Sequence, residues 1–117
     1  MDKYATFADL AAHERAGVDY RVAALARGAR ALIAAPHGGS IEPGTSEIAI
    51  AIAGTNLSLY LFEGLQGRRQ GELHITSSRF DEPNFRDLAA TADVVVAIHG
   101  RRDRLDPETV WAGALED

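Results

Sequence analysis

The order of strand-like and helix-like stretches in this 117-residue chain predicts an α/β fold, a mixed, largely parallel sheet flanked by helices. Three observations carry that prediction. Short strand-like runs alternate with stretches whose apolar residues recur at helical spacing, and the loops between them are short. The run Ala31-Leu32-Ile33-Ala34-Ala35 lacks the alternation of a half-exposed strand, so it reads as a strand buried on both faces. A hydrophobic content of 46% with 25% charged residues is that of a globular chain, and the length fits one domain over residues 1–117. A chain of this size buries somewhat over ~60% of its unfolded surface.

The elements follow in order. Thr6-Phe7-Ala8-Asp9 fits a capping box, with Leu10 and Ala11 at helical spacing and Gly17 placed to stop the helix, which predicts a helix over residues 7–16. Residues 20–26 read as a strand and 27–30 as a turn. Strand 31–35 stops at Pro36 and hands over to a loop carrying His37, Gly38, Gly39 and Glu42. From Thr45 a helix presents Ile48, Ala49, Ile52 and Ala53 inward, with Glu47 favoured by the dipole of its first turn and Gly54 ending it. Residues 58–62 are strand formers and 66–71 a polar loop, while 72–76 alternate as a strand with two different faces. Asp81 is placed to cap a helix with Pro83 in its first turn and Phe85, Leu88 and Ala89 on its inner face. Strand 93–98 ends in His99-Gly100.

Composition excludes several classes. With no cysteine, neither a disulfide nor a thiolate metal site is available, so any metal must rest on nitrogen and oxygen. The opening MDKYATFADL lacks the apolar core of a signal peptide, and no run approaches the ~20 apolar residues of a membrane span. The expectation is a cytoplasmic protein with no membrane partner. A formal charge of -5 argues against nucleic-acid binding, which needs a basic face.

Ligands of such sheets collect outside the carboxyl ends of the strands. His37 and His99 both follow apolar runs and both precede glycine, so parallel strands would bring them to one edge. Two histidines and a glutamate suffice for a catalytic zinc site. On spacing alone, however, His37 and Glu42 are better read as parts of a polar turn, and His99 as a hydrogen-bonded histidine at a strand end.

The wording PHGGSIEPGTSEIAIAIAG, followed by SLYLFEG, LHITSSRFDEP and VVVAIHG, resembles the poly-gamma-glutamate hydrolase family of phages and bacteria, sometimes labelled phage-related replication proteins. The resemblance runs from about Tyr4 to Gly100. It implies a carboxypeptidase-like α/β fold, zinc as cofactor with His37, Glu42 and His99 as its ligands, and an anionic gamma-glutamyl polymer as substrate. Ser40 departs from the family, which usually has a third glycine there. Family members also continue past the point where this chain stops, so the expectation is an incomplete domain. The general base, a glutamate in zinc hydrolases of the carboxypeptidase type, is expected beyond the last matching block. Glu108, Glu116 and Asp117 are the carboxylates remaining there beyond Asp103 and Asp106, and none is a convincing base; the catalytic residue is unassigned.

Four further signals are weighed against simpler readings. His74, inside a matching block, competes as a ligand but reads better as a strand histidine with a satisfied hydrogen bond. His13 reads as a surface residue. Arg79 is equally a clamp for a substrate carboxylate and a salt-bridge partner of Asp81, Glu82 or Glu63. Arg101, Arg102 and Arg104 read as a solvated loop, with attraction of an anionic polymer left open. The functional expectation is therefore zinc-dependent hydrolysis of gamma-glutamyl amide bonds. The alternatives are a non-catalytic metal- or polyanion-binding remnant and a phage replication-associated protein.

Overall fold

The computed structural model describes residues 2–65, 72–100 and the strand at 110–115. Strands β1 (Tyr20–Leu25), β2 (Ala31–Gly39), β3 (Ser58–Gly64), β4 (Val94–Gly100) and β5 (Val110–Leu115) form a sheet in the order β1-β3-β2-β4-β5. The three inner strands are parallel, and each outer strand is antiparallel to its neighbour. This is the mixed α/β sheet that the sequence predicts. Helices α1 (Phe7–His13) and α3 (Pro83–Thr91) pack on one face, and α2 (Thr45–Ala53) packs on the other.

Strand period divides the core in two. Leu32, Ala34, Tyr60 and Phe62 point to the α1/α3 side, while Ile33, Ala35, Leu59 and Leu61 point to the α2 side. Every residue of β3 and residues 32–38 of β2 are buried, which is why 31–35 shows no alternation. Burial of each large apolar side chain contributes about 1.5–3 kcal/mol, so Tyr60, Phe62 and Leu32, all at 0% exposure, dominate the first core.

The structure departs from the sequence expectations at five places, each near the sheet's carboxyl edge or a helix end. Helix α1 ends at His13 rather than near residue 16, because Glu14 turns extended and its carboxylate accepts a 2.5 Å hydrogen bond from the Tyr4 hydroxyl. Strand β2 does not stop at Pro36 but continues to Gly39, with a register shift between Ala35 and Gly38. A bulge tolerates proline, since its missing N–H takes no ladder bond there. Residues 72–76 form no strand: Leu73 and Ile75 are buried as the alternation requires, but Ile75 O and Thr76 N bond side chains instead of a neighbouring strand. Helix α2 buries Thr45, Ser46, Ala49 and Ala53, and leaves Ile52 50% exposed. Its first turn is tied to the end of β2, where Ser46 Oγ accepts from Gly39 N at 3.1 Å, and that contact sets its rotation. Helix α3 is capped by Glu82, which accepts from Phe85 N, while Asp81 accepts from Phe7 N.

Candidate metal centre

Parallel pairing of β2 with β4, Ala31 opposite Val94 through Ala34 opposite Ala97, carries His37 and His99 to the same end of adjacent strands. The turn after β2 is closed by Glu42 N donating to His37 O at 2.8 Å, which folds Glu42 back towards them. The three residues form a group whose donor atoms lie within 4.8 Å of one another. His37 Nδ1 stands 3.3 Å from Glu42 Oε1 and 3.3 Å from His99 Nδ1, and His99 Nδ1 stands 3.6 Å from Glu42 Oε1. Donors held at 2.0–2.1 Å from a tetrahedral zinc ion are ~3.3–3.4 Å apart, so the triangle fits such an ion.

Hydrogen bonds on the far side of each ring orient the donors. Ile75 O, which can only accept, lies 2.6 Å from His37 Nε2, so that nitrogen carries the proton and Nδ1 of the neutral ring keeps its lone pair. His99 Nε2 meets Ser77 Oγ at 3.2 Å. Both partners come from the segment after residue 72, and fixing the outer nitrogen of a histidine in this way is the usual support of a metal ligand. Glu42 Oε1 also accepts from Gly100 N at 3.0 Å. Burial raises the pKa of Glu42, but the imidazoles of His37 and His99 beside it and the Gly100 N–H more than offset that and leave the group well below the usual carboxylate range. An ionised carboxylate facing two imidazole nitrogens is a donor set for a cation.

The glycines have steric reasons. A Cβ on Gly38 would lie 2.2 Å from Ser46 Oγ and 3.1 Å from Phe62 O. Gly39 has φ +62°, so there the left-handed backbone is itself the requirement.

His74 is half-buried beside this group rather than within it. Its ring stacks on His37 with centroids 3.9 Å apart, its Nδ1 bonds Asp2 Oδ1 at 2.8 Å, and its Nε2 is 3.9 Å from Glu42 Oε2. It has the satisfied hydrogen bond expected of it, though not on a strand. His13 is exposed and bonded to Asp9 O. Arg79 is exposed at the end of a 3-10 turn, Ser77–Arg79, whose first residue touches His99. Its three alternative partners are otherwise engaged: Glu63 with Arg21, Asp81 with Phe7 N, and Glu82 with Tyr60, Asn84 and Phe85 N. Arg101, Arg102, Arg104, Glu108, Glu116 and Asp117 lie outside the described residues. Sequence reasoning missed Asp2, Ser77 and the Ile75 carbonyl. A backbone carbonyl leaves no residue signal, and Asp2 is 72 positions from the histidine that it bonds.

No helix among the described residues is long and apolar enough to cross a membrane. The chain is 46% identical over 99 residues to the SPbeta prophage-derived UPF0714 protein YoqZ of Bacillus subtilis (strain 168), covering 85% of this chain and 35% of YoqZ. It is 40% identical to the UPF0714 protein YndL of the same organism, covering 38% of it. Two solved structures share the fold at TM-score 0.76. One, a bacteriophage poly-gamma-glutamate hydrolase, is 27% identical and covers 84% of this chain and 55% of its own. The other, YndL in a zinc-free apo form, is 34% identical and covers 92% of this chain and 57% of its own. The chain thus spans between about a third and three fifths of the length of these relatives. The poly-gamma-glutamate hydrolase family model matches residues 4–116, nearly the whole sequence, and the chain belongs to that family.

Proposed function

We propose that this chain holds a zinc ion on His37, Glu42 and His99 and hydrolyses gamma-glutamyl amide bonds of an anionic polymer. The observation that carries the reading is the donor triangle, with edges of 3.3, 3.3 and 3.6 Å and with both histidines tied through their outer nitrogens. Zinc bound there supplies Lewis-acid chemistry, polarising a scissile carbonyl and bringing the pKa of water towards ~7. Ile75 O and Ser77 Oγ hold the imidazoles in place, and Gly100 N holds Glu42. Arg79, exposed beside Ser77, is placed to meet a carboxylate of the polymer with two parallel hydrogen bonds.

Purified protein is incubated with poly-gamma-glutamate, and chain length is followed by viscosity. Cleavage lost on chelation and restored by zinc is the expected result. Zinc-independent cleavage contradicts the reading. Binding of zinc and polymer without cleavage favours the second reading, a binding protein without turnover.

A further inference from the structure

The segment that orients both histidines is itself held from the opposite end of the sequence. One carboxylate, that of Asp2, accepts three hydrogen bonds: Oδ1 from His74 Nδ1 at 2.8 Å, and Oδ2 from Thr76 N at 2.8 Å and Thr76 Oγ1 at 2.7 Å. These anchors flank Ile75, whose carbonyl accepts a hydrogen bond from His37 Nε2, and they immediately precede Ser77, whose hydroxyl meets His99 Nε2. The first anchor also fixes the His74 ring that stacks on His37. Residues 74–76 lie in no strand, so the buried Ile75 side chain and side-chain hydrogen bonds set their position.

We infer that Asp2 is a positioning residue for the metal centre, acting through His74 and Thr76 to hold Ile75 O and Ser77 Oγ against the two histidine ligands. Asp2 touches none of the three donors. Its effect is to keep His37 Nδ1 and His99 Nδ1 aimed at one point, so its loss lowers metal affinity rather than removing a ligand. Partners of this outer kind typically change metal affinity by about 10–100-fold. The inference rests on the metal reading above and deepens it.

The test is titration of the 117-residue chain with Co2+ alone, followed by its visible d–d absorption, for wild type, Asp2→Ala and Thr76→Val. Melting of each metal-free protein is recorded in parallel. The expected result is that Asp2→Ala binds Co2+ about 10–100-fold more weakly with an altered absorption band, and that Thr76→Val, which keeps the His74 anchor, falls between it and wild type. Asp2→Ala binding with wild-type affinity and spectrum overturns the inference, whatever happens to the melting temperature, because that outcome leaves Asp2 a purely structural contact. If wild type takes up no Co2+, the metal centre itself fails and this inference falls with it. Wild-type binding matched by both variants overturns only the role of Asp2.

Discussion

A methyl group at Gly100 would stand 3.0 Å from Glu42 Cβ, and the same residue's N–H holds Glu42 Oε1. Gly100→Ala is therefore expected to displace the carboxylate and weaken zinc binding by about tenfold, within the range of outer-partner changes, while far-UV circular dichroism stays that of the wild type. Unaltered zinc affinity would show that Glu42 has room to shift without leaving the triangle. Arg79→Ala removes a charge-assisted bond of about 1.5–3 kcal/mol, which corresponds to at least a tenfold loss in affinity for gamma-glutamyl oligomers, with zinc content unchanged. Unchanged oligomer affinity at low salt, where screening is least, would end the case for Arg79. Asp2 gives a pH signature. Burial raises its pKa, but bonds from Thr76 and His74 outweigh that and lower it from 3.8 to about 2. A group with a lowered folded-state pKa stabilises above its unfolded value, and the contribution is lost as pH falls through the folded value. The stability difference between wild type and Asp2→Asn is thus expected to close as pH falls from about 4 towards about 2, measured by urea unfolding at each pH. A gap as wide at about pH 2 as at about pH 5 would contradict the assignment.

At the scale of elements, Glu82 joins helix to sheet. It is 2% exposed, caps α3 through Phe85 N, and accepts the buried Tyr60 hydroxyl at 2.8 Å. Glu82→Ala removes the cap, worth about 1 kcal/mol, and strands a buried hydroxyl at a further ~1–3 kcal/mol. Chemical denaturation should therefore show a loss of about 2–4 kcal/mol, most of it recovered by Glu82→Gln. Loss of less than ~1 kcal/mol would mean that water replaces both bonds. Glu82 also shows what local pattern hides, since Asp81 has the better capping side chain by type and position, yet a tertiary bond to Phe7 N draws it away. Buried strands 31–35 and 58–62 were legible because continuous apolarity and β-branched or aromatic content point the same way. That the two His-Gly strand ends share one edge was legible only on the condition that their strands run parallel, which β2 and β4 do. The continuation of β2 through Pro36 was not, because it depends on a bulge matched to β3. Nor was the irregular path of 72–76, whose alternation imitates a strand while its bonds run to Asp2 and His37.

For the whole molecule, a mixed sheet places one donor set at the carboxyl ends of two parallel inner strands, and the 74–79 segment lies across it. The α2 face is the thinner one, with Leu25, Ile50, Ile52 and Val94 between 38% and 50% exposed. The proposed function depends on a metal at the triangle, and that is tested most directly by anomalous diffraction at the zinc edge from zinc-soaked crystals. The account predicts one strong peak bonded to His37 Nδ1, His99 Nδ1 and a Glu42 carboxylate oxygen; a triangle without a peak, or zinc bound only elsewhere, would contradict it.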